Sequence, residues 1–96
     1  MLLDELRLKK NRINELANLY GARNIRVFGS VARYEEQDES DVDFLVELPQ
    51  GYDMFKQRIP LTFGLAELVG RNVDLIPEHE LNPHIRDQVT QEAVEL

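Results

Sequence analysis

Ninety-six residues, 43% of them hydrophobic and 30% charged, bound a single globular domain; two separate cores would each be too small to be stable. The net charge of −7 disfavours a surface built to grip long DNA or RNA and suits docking onto a basic protein. The lack of cysteine excludes disulfides and thiolate metal sites, no apolar run is long enough to span a membrane, and Asp4 and Glu5 come too early for a secretory signal. A cytoplasmic protein is expected.

Leu6, Ile13, Leu16, Ala17 and Tyr20 recur at helical spacing and predict one amphipathic helix over Leu2–Tyr20, with Gly21 as its C-terminal cap. Ile25–Phe28 reads as a short strand, Gly29 as a sharp turn, and Ser30 as the start of a short helix to about Tyr34. The acidic stretch Glu35–Ser40 is expected to be a solvated loop leading into a second strand, Val42–Leu48, which ends at Pro49-Gln50-Gly51. Asp53–Val69 is helical in pattern with Leu61, Leu65, Leu68 and Val69 as its core stripe; Pro60 kinks it or begins its second half, and Gly70 caps it. Asn72–Ile76 is the third strand, stopped by Pro77. Asn82 and Pro83 then form an N-cap and first position for a last helix through about Glu95, with Ile85, Val89 and Ala93 facing inward. The expected fold is α/β (α+β), a small mixed sheet with helices packed on one face. Residues 1–21 form the N-terminal helix, 25–76 the core and 82–96 the C-terminal helix.

Side chains alternate faces along a strand, so Asp41 and Asp43 point one way while Val42, Phe44, Val46 and Leu48 point the other. Two carboxylates side by side repel and lose hydration, which calls for a cation. Mg²⁺ suits them, because it takes oxygen ligands and shares them with substrate phosphates. Upstream, Gly29 lets the backbone approach a ligand closely. The hydroxyl of Ser30 and the N–H groups of the following turn then offer an anion site. If Val73 and Leu75 face the same helical layer as Val42 and Phe44, Asp74 joins Asp41 and Asp43 on one sheet surface. The whole is a site for a nucleoside triphosphate and Mg²⁺.

Gly29-Ser30, ten residues, then Asp41-Val42-Asp43 resembles the signature of the nucleotidyltransferase superfamily that includes DNA polymerase β. Phe28-Gly-Ser-Val-Ala-Arg33 with Ser40-Asp-Val-Asp-Phe-Leu-Val46 is most similar to the minimal nucleotidyltransferases, the MNT antitoxins commonly encoded beside HEPN-domain toxins; the likeness runs from about Leu16 to Leu96. Relatives usually carry glycine directly after the Ala-Arg pair, where this chain has Tyr34.

The resemblance implies a palm-like fold and a third acid on a later strand, for which Asp74 is the match. It implies catalytic and metal-binding roles for Asp41, Asp43 and Asp74 with two Mg²⁺ ions, ATP as substrate, and Gly29 and Ser30 on its terminal phosphates. Arg33 either reaches the triphosphate or pairs with neighbouring acids. The core leaves no room for an acceptor domain, so the acceptor comes with another macromolecule. The resemblance names that partner as the HEPN ribonuclease, which would receive AMP on a tyrosine. The competing reading is an antitoxin that occludes its toxin without catalysis. His79 and His84 lack metal-like spacing and are expected at the surface; Tyr20, Tyr34 and Tyr52 are packing or rim residues, Tyr34 the nearest to a nucleotide.

Overall fold

The computed structural model describes all residues from Met1 to Leu96. Helices α1 (Leu2–Leu8) and α2 (Lys10–Leu19) precede β1 (Arg23–Phe28), a single turn α3 (Gly29–Ala32) and β2 (Val42–Glu47). A π-helical turn (Met54–Arg58) runs into α4 (Ile59–Val69). Then come β3 (Val73–Pro77), a 3₁₀ turn (Glu78–Glu80), α5 (Pro83–Glu92) and β4 (Val94–Glu95). The sheet order is β3-β2-β1-β4, with β2 and β3 parallel and the other pairs antiparallel. No helix is long and apolar enough to cross a membrane.

The expected mixed sheet under a helical layer is what forms. Val27, Val42, Phe44, Val46 and Leu75 bury their side chains against Leu3, Leu6, Ile13, Ala17, Leu61 and Leu65 from α1, α2 and α4. Removing such area from water is worth roughly 25 cal/mol per Å² and dominates the stability of the layer.

The predicted single N-terminal helix is in fact two, broken at Lys9 (φ −103°, ψ 10°). Tertiary contacts override the helical spacing here. The bend brings Leu2, Leu3 and Leu6 onto the core, and the Lys9 ammonium donates to the Leu68 carbonyl at 3.0 Å, near the C-terminus of α4. Pro60 falls in the first turn of α4, as expected of a residue without an N–H, and Gly70 caps that helix at φ 72°. Before it, the Asp53 carboxylate accepts from the Phe55 and Lys56 amides at 2.9 Å each.

The predicted last helix overshoots. It ends at Glu92, and Ala93 (φ −63°, ψ 137°) turns the chain into β4, where Val94 and Glu95 pair with Val27 and Arg26. An open edge on β1 wants ladder partners, and Val94-Glu95-Leu96 alternates as a strand should. The inward face assigned to this helix holds only in part: Val89 and Ala93 are half-buried, whereas Ile85 is 47% exposed and no residue of α5 is fully buried.

The acidic loop is tied down rather than freely solvated. Glu36 accepts the Leu2 amide at 3.3 Å, the Ser40 hydroxyl accepts the Gln37 amide at 2.7 Å, and Arg71 donates to the Gln37 and Ser40 carbonyls.

Tyr34 has φ 58°, a left-handed conformation that costs a residue with a Cβ about 1–2 kcal/mol. Tyr34→Gly should leave thermal unfolding unchanged or raise its midpoint, the relieved strain outweighing the extra freedom of the unfolded chain. Tyr34→Val, β-branched at the same φ, should lower it.

Candidate active site

The site lies where β1 ends beside the start of β2. Phe28 pairs with Asp43, which sets the Gly29 turn against the Asp43 carboxylate. Gly29 has φ 74°, and a Cβ there would lie 2.2 Å from Asp43 Oδ2, so only glycine fits. In the parallel β2–β3 ladder Asp43 is level with Asp74, which puts both carboxylates on the face away from the helical layer. Asp43 is half-buried, whereas Asp41 and Asp74 are exposed.

Burial, and then the charges of Asp74 and Asp41, push the Asp43 carboxyl up to about 6, with Arg33 acting in the opposite direction. Desolvation and the neighbouring carboxylates thus both disfavour the ionised form of Asp43. The donor set of the cluster consists of oxygen alone, as a hard divalent cation prefers. No three acidic or histidine side chains close around one point, so an ion would have to draw the exposed Asp41 and Asp74 toward Asp43. The residues present suit Mg²⁺ on these grounds.

The expectation that Ser30 begins a helix is shifted by one residue. The helical turn starts at Gly29 after extended Phe28, and no side chain caps it, so the Ser30 hydroxyl is not spent on the helix start. Of the two roles open to Arg33, the structure shows pairing with acids. Its guanidinium donates to Glu35 at 3.1 Å and to Glu92, and these bonds raise its already high pKa.

Glu92, at the end of α5, was not among the residues that sequence reasoning singled out. Its other carboxylate oxygen accepts the Gly29 amide at 3.2 Å across 63 positions of chain. Nothing local in Thr90-Gln91-Glu92 distinguishes this acid from others.

The carboxylate face is not bare. Leu45 is fully buried on it, beside Arg26, whose guanidinium meets Glu78 at 3.3 Å. The remaining candidates lie apart from the carboxylates. Tyr52 donates to Glu80 at 2.5 Å and accepts from Arg58 at 2.7 Å, and His79 stacks edge-on against Tyr52. His84 is exposed, as expected, while His79 is half-buried. Tyr20 packs against the core, and Tyr34 stands exposed next to Arg33. Grooves of about 780 and 850 Å³ run along α2–α4 and beside Arg71, and neither includes Asp41, Asp43 or Asp74.

A glycine turn at a strand end, facing acids on two neighbouring strands of a mixed sheet, is the frame of a nucleotidyltransferase. The chain belongs to the nucleotidyltransferase domain family, whose model matches residues 9–96. Over 80 residues it is 39% identical to the protein adenylyltransferase MntA of Thermococcus cleftensis, covering 83% of this chain and 80% of that one. A solved structure described as a candidate minimal nucleotidyltransferase superposes with a TM-score of 0.87 at 38% identity, covering 100% of this chain and 97% of that one. A chain of a toxin–antitoxin crystal structure with AMP-PNP shares the fold, with a TM-score of 0.74 at 24% identity over 88% of this chain and 69% of that one. The chain is thus an enzyme of the MNT type, as its motif implied.

Proposed function

We propose that this protein is an antitoxin that transfers AMP from ATP to a tyrosine of a HEPN ribonuclease toxin and so silences it. The observation that carries this reading is the Gly29 turn set against Asp43 with Asp74 level beside it. In the reaction the tyrosine oxygen bonds to the α-phosphorus, the bond from that phosphorus to the β-phosphate bridging oxygen breaks, and pyrophosphate leaves. Mg²⁺ held by Asp41, Asp43 and Asp74 would neutralise the triphosphate and acidify the acceptor hydroxyl. The Gly29 amide and Ser30 hydroxyl position the terminal phosphates. Asp74, exposed at the sheet edge, faces the incoming acceptor and helps to take its proton.

An open carboxylate face suits an acceptor presented by another macromolecule, and the charge of −7 suits an RNA-binding, basic partner. AMP on a tyrosine beside RNA-binding residues would block RNA by charge and bulk.

The test is mass spectrometry of the toxin from the neighbouring gene after incubation with this protein, ATP and Mg²⁺. Added mass in AMP units on a tyrosine is expected. Asp74→Asn should still bind the toxin yet fail to modify it or to protect cells that express it. Full protection by the variant, with no added mass on toxin from either protein, would establish occlusion instead.

A further inference from the structure

The phosphate cradle of this site already holds an anion, and it belongs to the protein itself. One oxygen of Glu92 accepts the Gly29 amide at 3.2 Å, and the other pairs with Arg33. A backbone N–H has one hydrogen to give, and Arg33 is committed to Glu92 and Glu35. A triphosphate approaching Gly29 therefore meets both a filled donor and a carboxylate of like charge.

Little buried apolar surface holds the element that carries Glu92. Helix α5 buries no residue, and Ile85 lies 47% exposed on it. Its start is capped within the segment by the Asn82 side chain, which accepts the His84 amide at 2.9 Å. At its end the two-residue strand β4 holds it against β1. Segments with so little buried apolar area open at low free energy.

We propose that Glu92 is an internal plug that occupies the phosphate cradle and holds Arg33, and that a nucleoside triphosphate must displace it to bind. The inference rests on the nucleotide reading of the site and adds its control. In the resting protein the carboxylate stands in for a phosphate. When a triphosphate enters, Glu92 gives up Gly29 and Arg33, the guanidinium turns to the new anion, and the last turn of α5 moves outward. A closed resting population lowers apparent affinity in proportion to the fraction of open molecules.

The experiment is calorimetric titration of the full chain with ATP in Mg²⁺, comparing wild type, Glu92→Ala and Glu92→Gln. Affinity should rise about tenfold in Glu92→Ala and less in Glu92→Gln, which keeps an acceptor for Gly29 but loses the charge that holds Arg33. Hydrogen exchange on wild type should quicken over 88–95 when ATP is added. Equal or weaker affinity in both variants, or slowed exchange over that segment, overturns the plug while leaving the nucleotide site standing. Absence of ATP binding by all three proteins overturns the nucleotide reading and the plug together.

Discussion

Asp41→Asn/Asp43→Asn is expected to abolish the Mg²⁺ dependence of ATP binding and to reduce nucleotide transfer about a thousandfold or more. That fall corresponds to losing about 4 kcal/mol of charge stabilisation at the reacting phosphate. The same change should stabilise the ligand-free protein. Asp43 has its carboxyl raised to about 6 from 3.8, so the folded state favours its protonated form and its ionisation at pH 7 opposes folding. For a carboxyl raised by folding, the contribution is most favourable below about pH 4 and is lost as pH climbs through about 6. Asparagine mimics the protonated form. Thermal unfolding of Asp43→Asn should therefore exceed wild type at pH 7 by about 1 kcal/mol, allowing for solvent screening of a half-exposed group, and the gap should close toward pH 4. Equal unfolding at pH 7, or unchanged ATP affinity in Mg²⁺, would contradict the strained-cluster account.

Gly29→Ala should have the second-largest effect, through two separable causes. The left-handed φ of 74° costs alanine about 1–2 kcal/mol wherever it occurs. The new methyl also meets Asp43 Oδ2 at 2.2 Å, and the cheapest relief is rotation of that carboxylate away from the turn. Activity should thus fall with Asp43, beyond what the stability loss explains. A double-mutant cycle isolates the contact: in an Asp43→Ala background the methyl meets no carboxylate, and only the backbone cost should remain. If Gly29→Ala loses stability equally in both backgrounds, the contact with Asp43 is not what excludes a side chain.

Much of this arrangement was legible because it is local. The alternation around Val42, Phe44 and Val46 put Asp43 on the outer face, and Val73-Asp74-Leu75 repeats the pattern one strand over. Gly70 and Pro60 marked helix limits through their own backbone chemistry. What escaped depends on distant partners. The break at Lys9 answers to the Leu68 carbonyl, the strand at Val94 answers to the free edge of β1, and Glu92 reaches a glycine far back in the chain. Ser30 was read as the start of the short helix, whereas the turn begins one residue sooner, at Gly29.

The pairing of Phe28 with Asp43 makes the spacing of turn and carboxylate a dimension of the sheet and not of the connecting loop. The loop between Tyr34 and Ser40 is held separately, through Leu2 and Arg71. A one-residue slip of β2 against β1 would send Asp43 into the helical layer and Val42 into solvent. On its other side the site is insulated as well. The irregular pairing between Arg23 and Arg26, with Asn24 at φ 50°, absorbs mismatch before the ladder reaches Phe28. The juxtaposition of the Gly29 turn with Asp43 is thus locked in the ladder.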